Sequence, residues 1–275
     1  MITSKSNPKI KHLKDLLDNR RSRTKDGVFV VEGYKMFIEA PTDMIREIYI
    51  DADVYDKIKE SHGEAPLSVT SDRVRTKTIE KIDECAKRSI YIEEVSHELM
   101  AKVSDTETPQ GIIVVLNQHK YTLNNLLGAN MLILENIQDP GNLGTMIRTA
   151  EGAGISGILM TKGCVDIYNP KTVRSTMGSL YRVPFMYTDD LGNDISVIKS
   201  KGVKVYAAHL HGECFYDEIE YSMDSAFLIG NEGNGLTDET ASMADEYIKI
   251  PMEGKLESLN AAVSAAILMY NARKK

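Results

Sequence analysis

Two successive series of short apolar runs, each run divided from the next by a polar or helix-like stretch, constrain this chain more than any single motif. In the first hundred or so residues VFVVEG (28–33), REIYI (46–50) and PLSVT (66–70) read as strands, with helices through Tyr34 to Ala40 and near 53–60. The polar, Pro-containing SDTETPQG then leads into a β-branched strand at 112–116. From Met131 the pattern starts again: strands at MLILE (131–135), GILM (157–160), VKVYAA (203–208), AFLIG (226–230) and YIKI (247–250), with helices from about Asn142 to Ala153 and from about Glu257 to Arg273. Such alternation predicts an α/β fold in each half, helices layered on sheets. At 275 residues the chain is long enough for two domains with their own cores. NQHKYTLNNLLGAN is polar and Asn-rich, and the domains are predicted at 1–116 and 130–275, with a linker at 117–129.

Several classes are excluded at this level. The longest apolar runs, IIVVL (112–116) and AAVSAAILMY (261–270), fall short of the roughly 20 residues of a bilayer span. A membrane partner is therefore not expected. The first residues are charged and lack a secretory h-region, so a cytoplasmic location is expected. Cys85, Cys164 and Cys214 are isolated from one another, which argues against a disulfide framework or a cysteine zinc site. His209 and His211 form an H-x-H, but no metal is expected there. Gly152, Gly154 and Gly157 spell the dinucleotide fingerprint G-x-G-x-x-G, but in the wrong order: the helix precedes the glycines and the strand follows. These glycines are expected to end a helix and turn into a strand, which disfavours a nucleotide-dependent oxidoreductase.

Charge is unevenly spread. The chain carries 40 acidic and 33 basic side chains, a net charge of −7. Residues 1–25 nevertheless hold Lys5, Lys9, Lys11, Lys14, Arg20, Arg21, Arg23 and Lys25 against Asp15 and Asp18. A basic segment of this kind is either a solvated helical face or a surface for phosphates, since each neutralised phosphate releases condensed counterions.

Three loops at strand ends of the second half carry the unusual chemistry. The first, ENIQDPGNLGTMIRTAEGAG (135–154), places Asn136 at the C-terminal end of a strand, where α/β sheets present ligand groups. In its helix Leu143, Met146, Ile147 and Ala150 form a core-facing stripe. Arg148 lies off that stripe, either as an ordinary surface arginine or as a contact to phosphate or ribose. The second loop, LIGNEGNGL (228–236), is a strand running straight into glycines, where the backbone can be approached closely. It either presents Glu232 to a cationic or hydroxyl-bearing ligand or is a plain turn before a helix capped at Thr237. The third, IPMEGKLESLNAAVSAAILMY (250–270), puts Ser258 and Asn260 at the start of a helix whose stripe Leu259, Val263, Ala266, Ile267 and Tyr270 is apolar. Capping alone would explain Ser258. The small Ala-rich faces suit close packing on a neighbouring segment or a second subunit.

The three loops in this order resemble the SpoU (TrmH) family of the SPOUT methyltransferase superfamily. The resemblance rests on Asn136, Gly144 and Arg148, on Gly230, Glu232 and Gly233, and on Pro251, Ser258, Leu259 and Asn260. NPKTVRSTMGSLYRVP (169–184) is similar to the family's segment between motifs through Lys171, Arg174 and Gly178. In the N-terminal half VFVVEGYKMFIEA and TETPQGIIVV resemble the family's substrate-binding domain.

The resemblance implies an L30e-like RNA substrate-binding domain, followed by a SPOUT α/β domain with a deep trefoil knot. It implies S-adenosylmethionine-dependent methylation of a ribose 2′-hydroxyl of RNA, with large-subunit (23S) ribosomal RNA as the favoured substrate, and a cytoplasmic homodimer without metal. Arg148, Asn136, Glu232, Ser258 and Asn260 become the catalytic candidates. Gly230, Ile250, Leu259, His209, Leu228, Ile229 and Pro251 become candidates for holding the cofactor. Lys9, Lys11, Arg20, Arg21, Arg23, Lys171 and Arg174 become RNA contacts, with Lys162 and Arg182 as further cations. Arginine is a poor general base because its pKa exceeds about 12, so Arg148 is expected to hold the ribose or adjacent phosphate and to stabilise the developing alkoxide. The alternatives are a tRNA ribose methyltransferase and a non-catalytic RNA-binding or ribosome-assembly protein.

Overall fold

The computed structural model describes residues 1–59, 72–221 and 224–273. In chain order the first elements are α1 (Pro8–Asp18), α2 (Arg20–Asp26), β1 (Val28–Glu32), α3 (Tyr34–Glu39), β2 (Ile45–Asp51), α4 (Ala52–Lys59), α5 (Asp72–Lys87), β3 (Tyr91–Val95), α6 (His97–Val103) and β4 (Ile112–Asn117). Then follow α7 (Leu123–Leu126), β5 (Asn130–Leu134), α8 (Pro140–Ala153), β6 (Gly157–Thr161), α9 (Pro170–Thr176), β7 (Phe185–Thr188) and α10 (Leu191–Ser200). The chain continues with β8 (Lys204–Ala208), β9 (Cys214–Phe215), β10 (Ser225–Ile229), α11 (Asp238–Ser242), β11 (Glu246–Lys249) and α12 (Ala261–Ala272). The strand expected over 66–70 lies outside the described residues. These elements group into two compact units, residues 1–119 with 168–181, and residues 120–167 with 182–275.

The first unit is built on a mixed sheet ordered β1-β4-β2-β3, antiparallel except for the β2–β3 pair. Helix α1 starts at Pro8, where the side chain of Asn7 accepts the Lys9 N–H at 2.9 Å. Ile10, Leu13, Leu16 and Leu17 recur at helical spacing and pack with Val28, Val30, Ile113 and Val115 of the sheet. The basic segment is therefore an amphipathic helix with its lysines on the solvent side. Arg23 is the exception, with 3% of its surface exposed. Its guanidinium donates to the Leu16 and Leu17 carbonyls at 2.7 and 3.0 Å, closing the open end of α1. A side chain held in that way is not available to a phosphate. Residues 168–181 belong to this unit through the ring of Tyr168, 4.7 Å from that of Phe29, and through the Tyr181 hydroxyl, which donates to the Met36 carbonyl at 2.9 Å.

The second unit is a seven-stranded, wholly parallel sheet ordered β7-β6-β5-β10-β8-β11-β9. Its central strands, NMLIL of β5 and SAFLI of β10, are buried at every position, as expected of parallel strands covered on both faces. Alternation by two sends Met131, Ile133, Ala226 and Leu228 to one face, against Ile195 and Ile198 of α10. Helix α12 packs on β10 and α8. Helix α8 ends at Gly154, which takes the left-handed conformation (φ 76°) and turns the chain into β6. The glycines of the G-x-G-x-x-G sequence thus terminate a helix.

The last helix begins later than the expected Glu257. Asn260 is its N-cap, with Oδ1 accepting from the N–H groups of Ala262 and Val263 at 2.9 and 3.3 Å, while Ser258 stays in the preceding exposed loop. Ala261, Ala262, Ala265, Leu268 and Met269 form the buried side of α12, so the apolar stripe through Val263 and Tyr270 faces outward, each of these two side chains 47% exposed. No helix of the described residues is long and apolar enough to cross a membrane.

Candidate active site

In the parallel sheet, β5 leads outward to β6 and β7, and the chain then returns to place β8 on the other side with β10 inserted between β5 and β8. The strand order reverses there, and the loops at the carboxyl ends of such strands are where open α/β sheets bind ligands. Loops 135–139, 209–213, 230–236 and 250–260 leave β5, β8, β10 and β11 at that edge.

Glu232 ties three of these loops together. Its carboxylate accepts the backbone N–H groups of Gln138 and Asp139 at 3.2 Å each, and the side-chain amide of Asn142 at 3.0 Å. Asn142 in turn accepts the Nδ2–H of Asn260 through its Oδ1 at 3.0 Å. One hydrogen-bonded line therefore runs from the β10 loop through the first turn of α8 to the first turn of α12. Burial acts to raise the Glu232 pKa, but the Asn142 amide, with the backbone N–H groups of Glu232, Gln138 and Asp139, outweighs it and holds the carboxyl below the ordinary 4.5. The site keeps a carboxylate at neutral pH.

The backbone of the glycine loop is equally constrained. Asn231 and Gly235 exchange backbone hydrogen bonds at 3.0 and 2.9 Å, and a Cβ on Gly230 would overlap the Gly235 carbonyl carbon and the Leu236 nitrogen. Only glycine lets the turn close. The Asn231 side chain accepts the N–H groups of Gly233 and Asn234 at 2.9 and 3.1 Å and donates to the Asn136 carbonyl at 2.8 Å. At the far end of the loop the buried carboxylate of Glu135 accepts the Thr237 N–H and hydroxyl, both at 2.8 Å, and the Thr240 hydroxyl at 2.6 Å.

The expected site residues fall into distinct settings. Glu232 and Asn260 stand in the same network. Asn136 is beside it, held at φ 55° with its N–H on the Thr161 hydroxyl at 3.0 Å; it is joined to the network through Asn231. Arg148 lies on the exposed side of α8, with no hydrogen bond or ion pair among the described residues, and Ser258 is exposed in loop 250–260. Leu228 and Ile229 are buried strand residues, whereas Ile250 and Leu259 are half-buried and Pro251 is exposed. His209 is half-buried, its N–H on the Ile248 carbonyl at 2.9 Å and its ring 5.1 Å from that of Tyr247. Among the described residues neither His209 nor His211 is grouped with two further metal-capable side chains.

Of the expected RNA contacts, Lys11, Arg20, Arg21 and Lys171 are exposed. Lys9 is exposed with its ammonium 3.6 Å from the Tyr91 ring centroid, and Arg174 pairs with Asp105 at 2.6 Å. In the second unit Lys162 pairs with Asp189 and Arg182 with Glu151.

Asn142, Gln138 and Glu135 were not singled out by sequence. Asn142 read as the first residue of a helix, and its partners lie 90 and 118 positions away. The cysteines offer no nucleophile: burial pushes Cys85 up to about 11 and raises Cys164, and the Glu246 hydrogen bond raises Cys214.

Comparison with known proteins identifies the family. The model of the SpoU rRNA Methylase family matches residues 129–270, and that of the MRM3-like substrate binding domain matches residues 7–114. The 23S rRNA (guanosine(2553)-2′-O)-methyltransferase RlmP of Bacillus subtilis (strain 168) is 33% identical over 274 residues, which span 99% of this chain and 98% of that protein. The AdoMet-bound rRNA methyltransferase from Sinorhizobium meliloti superposes with a TM-score of 0.80 at 29% identity, covering 99% of this chain and 96% of that one. The SpoU methyltransferase AviRb from Streptomyces viridochromogenes, in complex with AdoMet, shares the fold with a TM-score of 0.78 at 24% identity, covering 97% of each chain. With one family model spanning more than half of its length and a full-length relative at 33% identity, the chain belongs to the SpoU rRNA methylase family.

Proposed function

We propose that this protein transfers a methyl group from S-adenosylmethionine to a ribose 2′-hydroxyl of RNA, and that its substrate is large-subunit ribosomal RNA. The observation that carries this reading is the Glu232–Asn142–Asn260 line, which locks three strand-end loops of a family-matched domain into one surface. Full-length similarity to RlmP, which acts on 23S rRNA, and to the AdoMet-bound Sinorhizobium protein supports the substrate and the cofactor.

The residues present fit the cofactor. The turn that only Gly230 allows leaves a close-packed backbone edge, and the half-buried Ile250, Leu259 and His209 stand at the ends of neighbouring strands or loops. These residues, with Leu228, Ile229 and Pro251, would hold it. Bound S-adenosylmethionine supplies an electrophilic methyl on a sulfonium. Arg148, permanently charged and exposed, holds the ribose or its phosphate and stabilises negative charge growing on the 2′-oxygen. Glu232 is committed to three donors and keeps the loops aligned. Asn260 and Asn142 fix the start of α12 against that of α8, and Ser258 and Asn136 border the same edge. In-line displacement demands such alignment, and the chemistry as drawn needs no metal.

The finer architecture follows the family: an L30e-like first domain over residues 1–116 that holds the RNA, a linker at 117–129, and a second domain at 130–275 with a trefoil knot, whose segment 168–181 packs with the first unit. The knot reading is supported by β10, which follows β5 and β8 in sequence yet lies between them. A homodimer is supported by the outward apolar side of α12, where Val263 and Tyr270 would meet a second copy.

The test is incubation with methyl-labelled S-adenosylmethionine and separate transcripts of 23S, 16S and transfer RNA, with Arg148→Ala as control. Label in an alkali-resistant dinucleotide of 23S RNA, lost in the variant, is the expected result. Cofactor binding without label on any RNA or ribosomal particle would leave a non-catalytic RNA-binding protein, and the absence of cofactor binding would refute the enzyme reading.

A further inference from the structure

Beside the Glu232 loop is an open cleft of about 360 Å³, with Asn136, Asn231, Asn234, Thr237 and Asp238 among its lining residues and Leu236 as its apolar part. Its size is at the small end of ligand pockets, suited to one nucleobase rather than an extended oligonucleotide. Most polar groups here already have partners. Both ends of the Asn231 side chain are engaged, and the Thr237 hydroxyl donates to Glu135 and accepts the Thr240 N–H at 3.2 Å. The Asn136 carbonyl accepts from Asn231 and Gln138, and its Oδ1 from the Thr161 hydroxyl at 3.3 Å.

Three groups are left over. The Asn136 Nδ2, the Asn234 side-chain amide and the Asp238 carboxylate have no hydrogen bond or ion pair among the described residues. Asn136 is half-buried and Asn234 and Asp238 are exposed, so two amides and one carboxylate line the cleft with polar groups open to solvent.

We propose that this cleft receives the base of the target nucleotide and that Asp238 selects guanine there, an inference that rests on the proposed RNA methyl transfer. Guanine alone among the four bases presents two adjacent donors, N1–H and N2–H, on its Watson–Crick edge, and these match the two oxygens of one carboxylate. Uracil offers a single N–H between two carbonyls. Adenine and cytosine set a bare ring nitrogen beside the amino group, which a carboxylate repels. The amides of Asn136 and Asn234 then serve O6 and N7, acceptors that pair with side-chain donors. RNA enzymes that read sequence do so on unstacked bases, and the cleft takes Asn231 from the loop that carries Glu232 and Asn136 from the neighbouring loop after β5, so the base would lie beside the hydrogen-bonded loops of the proposed site.

The experiment uses the whole protein and a 23S rRNA fragment carrying guanosine, inosine or adenosine at the nucleotide that the wild type methylates. Inosine lacks the N2 amine and nothing else. For the wild type kcat/KM is expected to fall roughly ten- to a hundredfold from guanosine to inosine, the range for losing one hydrogen bond to a charged group. In Asp238→Asn that ratio should collapse toward one, with thermal unfolding and S-adenosylmethionine affinity unchanged. Asn234→Ala should lower kcat/KM on guanosine and inosine alike. A target other than guanosine, equal rates on guanosine and inosine, or an unchanged ratio in Asp238→Asn overturns the inference while methyl transfer stands. Cofactor binding with no transfer to any RNA or particle overturns both readings together.

Discussion

The Asn142–Glu232 bond is a single link between two side chains that holds separate loops in register. A double-mutant cycle measures it: Asn142→Ala, Glu232→Ala and the pair. The bond is 3.0 Å long and accepted by a carboxylate, a class worth about 1.5–3 kcal/mol in stability when shielded. Both residues are half-buried, so water competes and the coupling should be about 1 kcal/mol. Asn142→Ala also removes the 3.0 Å bond from Asn260, adding about 1 kcal/mol, for a total near 2 kcal/mol. Glu232→Ala loses three accepted bonds, two of them from solvent-exposed residues whose N–H groups water can satisfy, and should cost about 2–3 kcal/mol. Urea unfolding followed by circular dichroism reads all four proteins, provided the slopes agree. The double variant should be less destabilised than the sum by about 1 kcal/mol. A coupling below about 0.3 kcal/mol would refute the claim that this bond joins the loops.

Three further outcomes are expected. Glu232 titrates below its ordinary value when folded, so the stabilisation it brings is complete above about pH 5 and is lost as pH falls through the folded pKa; the stability gap between wild type and Glu232→Gln should be flat from pH 6 to 8 and shrink on acidification below about 4.5. Gly230→Ala would drive a methyl into the Gly235–Leu236 backbone, so calorimetry should show S-adenosylmethionine binding weakened at least tenfold. Arg23→Ala leaves the Leu16 and Leu17 carbonyls without their buried donor and should destabilise by about 2–4 kcal/mol in denaturant, while the salt dependence of RNA binding stays as in the wild type; a reduced slope would mean that Arg23 does meet phosphate.

What could be read in advance follows a physical divide between local and distant interactions. Strands β5 and β10 announced themselves because central parallel strands need continuous apolar runs, and Gly154 because a helix end favours a residue at positive φ. The start of α12 was misjudged by one turn because Ser258 and Asn260 are both good caps, and only the fold shows which one meets the open N–H groups. β9 has two residues and no pattern to detect. Glu232 and Asn260 stood out by loop chemistry, but Asn142, between them, has partners supplied by distant segments. Arg23 looked like its neighbours Arg20 and Arg21, and only the path of α1 made it internal.

The geometry also bears on which groups of the site remain chemically available. Asn142 and Asn260 meet near the N-termini of α8 and α12, and a Cβ on Gly152 would lie 2.9 Å from the Tyr270 hydroxyl near their far ends, so the two helices run side by side in the same direction. Their positive ends therefore stand together at the carboxyl edge of the sheet, an arrangement that favours an anion. Glu232 supplies one, accepting the N–H groups of Gln138 and Asp139 just ahead of α8. The same contacts lower its pKa, and a carboxylate so stabilised is a weak proton acceptor. In the proposed reaction Glu232 is therefore a tie rather than a base, and Arg148 is the cation on α8 left unpaired by the described residues. Catalysis then rests on alignment and on stabilising the forming alkoxide, while the proton passes to solvent. A rate set by Arg148 in this way should show no acid limb from Glu232 between pH 6 and 9, because the carboxylate stays ionised throughout. A kcat that rose through that interval with a Glu232-dependent pKa would restore the carboxylate to the role of base.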